Sequence, residues 1–422
     1  MMIRSILAVI CIASICCMQL SASYAQVRPN FPYSSLGIGE INYNAEGMLS
    51  GLGNATSAVR SDQYPNNANV ASFSGMQRQL AVLEAGATGI SATFKDNNTA
   101  ANASYFSVDR FDMAFKFNNW WGSGFGLRPL STVRYQILQT QTYNGGTQSI
   151  STTIQGTGGL NEVYWGNGIK IGNHFSAGVK LSYIFGNITR SEIAGYDVNT
   201  PLLTSSEQDY YQNFHVSYAA QLSGKLGSDW DYVVAGTYAP HQYLHAQSQI
   251  TVISGIDTLS FSNAPISDFR LPDQYRGGLA FTYQHSLSFI LDYAYEKWGD
   301  ASTNVNAVQT VNSSRYGAGI KYEPEQNYSV YSRDWLHRIV AMGAFNYTKS
   351  YLQINNQQLR DINVSLGLGI YNAPHTLNLN MGLEIGQQGG PGTSSTLITE
   401  NYVRLHMGII LRDIWFVKRK FY

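Results

Sequence analysis

The residues best suited to chemistry in this chain are spaced against it. His241 and His245 stand four apart, a spacing that puts two metal ligands on one face of a helix. The sequence around them alternates like a strand, and at a rise of ~3.3 Å per residue the pair is about 13 Å apart, too far to share an ion. They read as polar rim or bore residues. No Gly-x-Ser-x-Gly elbow, phosphate-cradling Gly-x-x-x-x-Gly-Lys-Ser/Thr or His-Glu-x-x-His occurs. The reading is therefore a non-enzyme with no catalytic residues, no metal and no cofactor. Asp292, Glu296, Lys180, Arg315 and Lys321 share one face of the alternating segments. A charge-paired, solvated interior explains them, with a specific polar ligand site as the alternative.

The elements that must position these groups announce themselves by alternation. From Leu377 to Ile385 every second residue is apolar, and Asn378, Asn380, Gly382 and Glu384 lie between. Side chains of a strand point alternately to its two faces, so the pattern describes sheet with one apolar and one wet or small-residue face. Strands are expected at about 77–92, 99–118, 121–138, 148–171, 174–192, 208–226, 230–252, 259–284, 286–298, 311–323, 336–353, 357–371, 375–387 and 399–412. Fourteen is an even number, as single-chain bacterial barrels require. Short turns (172–173, 227–229, 372–374) take turns with longer polar links at 139–147, 193–207, 299–310, 324–335 and 388–398. Short turns at one rim and long loops at the other predict a transmembrane antiparallel β-barrel, with the apolar face toward lipid.

Composition agrees. Lys plus Arg and Asp plus Glu number 27 each, and charged residues are 13% of the chain, about half the ~25% usual for soluble domains. Without a basic excess, nucleic acid is excluded as a partner. The 29 tyrosines and 40 glycines are the real surplus, as aromatic belts at two membrane interfaces would need. After residue 25 nothing approaches the ~18 uninterrupted apolar residues of a spanning helix. Met1–Arg4, the apolar run Ser5–Leu20 and Ser23-Tyr24-Ala25 read as a signal peptide cleaved before Gln26. All three cysteines lie within it, so disulfides are not expected. Residues 26–76 do not alternate and form a separate glycine- and asparagine-rich segment, followed by the barrel at 77–422. The expected location is the outer membrane of a Gram-negative bacterium. The aromatic-rich end, Ile414-Trp415-Phe416 to Phe421-Tyr422, suits a final barrel strand.

Leu271-Pro272-Asp273-Gln274-Tyr275-Arg276-Gly277-Gly278, then Leu291-Asp292-Tyr293-Ala294-Tyr295-Glu296-Lys297-Trp298, with Gly51-Leu52-Gly53-Asn54-Ala55 near the start, make the chain resemble the FadL-type outer-membrane transporters. That family carries long-chain fatty acids and other hydrophobic small molecules. The resemblance implies that residues 26–76 are a hatch inside the barrel, with its motif at Asn66-Asn67-Ala68. Here Asn67 stands where the family usually has proline, which removes a fixed φ. It further implies passive uptake of a hydrophobic ligand, touched by Phe31, Tyr33 and Leu36 unless these only pack the hatch, and sideways release into membrane lipid through a kink in the third strand. That strand is unusual in its own right: Gly122, Gly124 and Gly126 leave one face bare, and Pro129 cannot donate to a ladder. Residues 122–129 are the expected wall opening, the alternative being a rim-level proline beside an aromatic belt. A second function stays open: a non-transporting barrel that docks other outer-membrane proteins in a secretion or assembly complex. The altered hatch motif and the basic tail Lys418-Arg419-Lys420 leave room for it.

Overall fold

A computed structural model describes residues 31–43, 47–96, 100–143, 148–197, 200–255, 257–265, 267–301, 308–324, 338–372, 376–390 and 397–415. The segment read as a signal peptide and the basic tail lie outside the described residues. Along Leu377–Gly389 the alternation resolves into two solvents. Leu379, Met381 and Ile385 are 52%, 54% and 54% exposed on the outside, while Asn378, Asn380 and Glu384 are 0%, 3% and 1% exposed on the inside. The apolar face meets lipid and the polar face lines the bore.

Fourteen antiparallel strands close into a barrel. The first two are Leu80–Lys95 and Ala100–Lys116. The third is split into Trp121–Pro129 and Ser131–Tyr143. Gln148–Ile171, Phe175–Asp197 and Thr200–Leu226 follow. The seventh is Trp230–Ala239 with Gln242–Ser254, and the eighth comprises Asp257–Pro265, Phe269–Leu271 and Gln274–Tyr283. Leu287–Glu296, Ser313–Tyr322, Ile339–Ile354, Gln357–Tyr371, Leu377–Gly389 and Thr399–Ile414 complete the wall. Closure comes from the first strand pairing with the last, Leu80 opposite Ile414 through Lys95 opposite Thr399. A closed ladder is what lipid demands, since it offers no partner to a free backbone group.

Three expectations need correction. Residues 259–284 are not one strand: Pro265 and Pro272, which lack a donor, stand at its interruptions. The link 193–207 is mostly ladder, because the fifth strand runs to Asp197 and the sixth resumes at Thr200. These tall strands, 24, 23 and 27 residues for the fourth to sixth, exceed the ~9–11 that span a bilayer, so their ends stand beyond it. Finally, links 297–312 and 323–338 are consecutive and so lie at opposite rims. The strands Ser313–Tyr322 and Ile339–Ile354 that flank the second meet at the rim of the short turns, and residues 325–337 between them are outside the description.

The chain ahead of the barrel packs on its inner wall. Leu52, Ala55, Ser57, Ala58 and Phe73 are fully buried. Inward-facing glycines let this backbone come close: a Cβ on Gly367 would meet the Gly51 Cα at 2.7 Å, and one on Gly317 the Ala55 nitrogen at 3.0 Å. Polar wall groups satisfy its backbone donors, which an irregular buried segment cannot do for itself. The Asn54 N–H donates to Asn346 Oδ1 at 2.8 Å and the Ser57 N–H to Asp292 Oδ2 at 2.6 Å.

Candidate functional site

Among the described residues the wall ladder parts between the second and third strands. The first half of the third strand is paired on both sides, with Lys116–Phe111 of the second strand and Ile169–Asn161 of the fourth. Beyond the Phe111–Leu127 pair the second strand has no ladder partner on this side among the described residues, and Val108 and Phe106 are 77% and 57% exposed at the edge. The local sequence explains the divergence. Pro129 carries no N–H, and Leu130 leaves the ladder to donate to the Leu160 carbonyl at 2.8 Å. Opposite, Gly158 and Gly159 adopt φ of +112° and +142°, and a Cβ on Gly159 would meet the Ser131 carbonyl oxygen at 2.2 Å. The second half of the third strand stays on the fourth. Its other edge is taken up inside the barrel by Glu40–Ile41, opposite Thr132 and Ser131. The Phe31 N–H donates to the Arg134 carbonyl at 2.8 Å.

Behind this break lies a cavity of about 400 Å³. Tyr105, Val108, Leu127 and Pro129 form its wall side; Tyr33, Glu40, Asp361, Arg404 and His406 form its inner side. Arg404 spans the inner side, bonding Glu40 at 3.0 Å and Glu384 at 3.1 Å. His406 Nδ1 lies 3.1 Å from Thr88 Oγ1, and the Arg134 guanidinium sits 3.6 Å over the Tyr105 ring. The site is thus two-sided, apolar toward the wall and charge-paired toward the bore. A second cavity of about 200 Å³ lies deeper, bordered by Tyr43, Asn66, Asn67, Glu162 and Arg315.

The predicted site residues fall into three groups. Phe31 packs edge-on against Phe94 and Tyr105, with ring centroids 5.4 and 5.7 Å apart, and Leu36 joins a neighbouring apolar cluster. Tyr33 reaches the cavity and donates to the Ile398 carbonyl. Burial, and then Glu400, hold its phenol well above the ordinary value, so it serves as a donor. Asn66 acts as a local clasp: its Nδ2 donates to the carbonyls of Thr56 at 2.7 Å and Val59 at 2.9 Å, and its Oδ1 accepts from the Ala68 N–H at 3.1 Å. Such an Asx turn supplies by hydrogen bonds a constraint that a proline would supply by its ring. Asn66, Asn67 and Ala68 all border the deeper cavity.

Gly122, Gly124 and Gly126 lie in continuous ladder. Their bare face points inward, and Cβ atoms on Gly122 and Gly124 would meet Phe73 at 2.3 and 3.0 Å. With Gly166 and Gly168, which face Val70, Gly122 and Gly124 seat the turn Val70–Gly75. Pro129 alone of that group borders the cavity, and the break in pairing begins just beyond the glycines.

The inward charges foreseen from sequence are paired: Asp292 with Arg276 at 2.8 Å, Glu296 with Arg315 at 2.8 Å, Lys180 with Glu162 at 3.0 Å and Lys321 with Glu323 at 2.7 Å. His241 and His245 turn to different carboxylates, Asp273 at 3.3 Å and Asp268 at 3.1 Å. Sequence reading missed Glu40, Glu162 and Arg404. Phase alone could have set Glu162 and Arg404 on the inner face; Glu40, 364 positions from Arg404, carried no signal.

The closed fourteen-strand barrel is a fold shared with solved hydrocarbon transporters and channels. The toluene transporter TodX of Pseudomonas putida matches with a TM-score of 0.60 at 12% identity, over 89% of this chain and 100% of that one. The toluene transporter TbuX of Ralstonia pickettii matches with a TM-score of 0.57 at 11% identity, over 88% and 99%. The monoaromatic hydrocarbon channel CymD matches with a TM-score of 0.55 at 11% identity, over 89% and 98%. No curated protein matches the sequence significantly. The family model described as BamG matches residues 2–422, and the chain belongs to that family.

Proposed function

We propose that this barrel is an outer-membrane channel for small hydrophobic compounds, and that they leave it sideways into lipid through the break between the second and third strands. The carrying observation is the unpaired edge beyond Phe111, which opens onto the 400 Å³ cavity. An apolar compound loses nothing by passing from the Val108–Leu127–Pro129 side into lipid, and each Å² kept from water is worth ~25 cal/mol. The segment before the barrel acts as the hatch, and Tyr33 with Phe31 closes the cavity from within. TodX, TbuX and CymD, named for hydrocarbon transport, lend the reading support through shared fold. In cells, uptake of a monoaromatic hydrocarbon should fall roughly tenfold, ~1.4 kcal/mol of added barrier, when Val108→Trp fills the break. Uptake equal to that of the unaltered protein, with the variant assembled, would sink the reading.

A specific observation favours a second reading, a docking component of an outer-membrane assembly or secretion complex. The inner side of the cavity is charged, and the segment before the barrel is hydrogen-bonded to several strands of the wall, so a stationary filling suits it. Purification from the native membrane separates the two: stoichiometric protein partners, together with uptake indifferent to Val108→Trp, would favour docking.

A further inference from the structure

We infer that the bore's mouth at the short-turn rim holds a site for a phosphate-class oxyanion, formed by Arg60, Lys116 and Lys170. Several cations buried elsewhere among the described residues have carboxylate partners: Lys180, Arg276, Arg315, Lys321 and Arg404 each reach one within 3.1 Å, while Arg412 bonds Gln63 and lies over the Tyr371 ring. Arg60 and Lys116 reach none among the described residues. The Arg60 guanidinium donates only to neutral oxygens, Ser176 Oγ at 3.2 Å, Gln221 Oε1 at 3.1 Å and Ser74 Oγ at 3.3 Å. Lys116 is 5% exposed and donates to the Ser74 carbonyl. The charged groups acting on its ammonium are Arg60 and Lys170, both cations.

Buried charges without a counter-charge are costly, and proteins rarely keep them idle. Burial holds the Arg60 guanidinium below its ordinary value, as expected for a cation lacking an anion. Arg60 and Lys116 converge on Ser74, at the end of the turn seated on the wall glycines, and Lys170, one residue before the end of the fourth strand, pairs with Ser176, which both Arg60 and Ser74 contact. A guanidinium and two ammonium groups suit the several acceptor oxygens of a phosphate group. The site faces the short-turn rim, where both ends of the barrel wall lie, and is separate from the cavity behind the wall break.

The test is thermal unfolding of the full chain in neutral detergent, in phosphate and in chloride at matched ionic strength, because screening alone moves exposed charges. Phosphate should raise the unfolding temperature. Lys116→Met should abolish the response, and Arg60→Gln should weaken phosphate about tenfold, the loss of one charge-assisted bond. Lys170→Glu supplies a resident carboxylate and should raise the unfolding temperature without phosphate, leaving no further response. A parallel arm compares bilayers of phosphatidylglycerol and of phosphatidylcholine without free phosphate. Stabilisation by the anionic lipid that Lys170→Glu removes assigns the oxyanion to a headgroup, and its absence assigns it to a soluble phosphate. No shift in either arm, or a shift that both Lys116→Met and Lys170→Glu leave intact, overturns the proposal. Should Lys116→Met fail to assemble, seen as loss of heat-modifiable migration, Lys170→Glu at its half-exposed position decides alone.

Discussion

Arg404 shows how single residues hold this barrel together. Its guanidinium joins Glu384 of the wall to Glu40 of the inner segment, both within 3.1 Å. Removing one partner of a buried pair costs more than the pair contributes, because the remaining charges stay in a poor solvent. Arg404→Ala should therefore lower stability by about 3 kcal/mol, read from the urea midpoint of barrel unfolding. Asn346→Ala is a gentler case: it orphans the Asn54 N–H and should cost ~1–3 kcal/mol, checked by the same midpoint. An unchanged midpoint in both would mean that the inner segment is not braced by these contacts. Neither pairing was readable from sequence. Alternation tells which face Arg404 and Glu384 occupy, yet nothing local ties them to Glu40.

Strands were the most readable elements, because two different solvents enforce a period of two on every one of them. The third strand was read less well, and the reason is physical. Bare glycine faces at Gly122, Gly124 and Gly126 say that something comes close, without saying whether it is lipid, ligand or the chain itself. At Gly122 and Gly124 it is Phe73 of the chain; at Gly126 it is Asp112 and Tyr164 of the wall. Gly124→Leu should accordingly unseat the turn Val70–Gly75 and speed amide exchange at residues 70–76, while strand amides elsewhere stay protected. Equal protection of that turn in the variant would show that its glycine seat is dispensable. What lies next to the glycines is a break in pairing: the ladder ends at Phe111 and Leu127. The even strand count was legible for the same reason as the alternation. The meeting of Ser313–Tyr322 and Ile339–Ile354 at the short-turn rim was not, since loop length is a loose guide to side.

At the scale of the whole molecule, lipid fixes the outer face, the N-terminal segment packs on the inner wall, and strand pairing breaks beside a cavity of about 400 Å³. The outer face needed only composition and phase to be foreseen; the filling depends on contacts between residues hundreds of positions apart. The account stands on a hydrophobic compound reaching the cavity from the membrane side or leaving it there. Photolabelling of the membrane-embedded protein with a small apolar diazirine tests this most directly. Label at Tyr105, Val108, Leu127 and Tyr33, competed by excess hydrocarbon and absent in Val108→Trp, is the predicted result. Label confined to outward residues such as Leu379 and Met381, with Tyr33 and Tyr105 untouched, would contradict it.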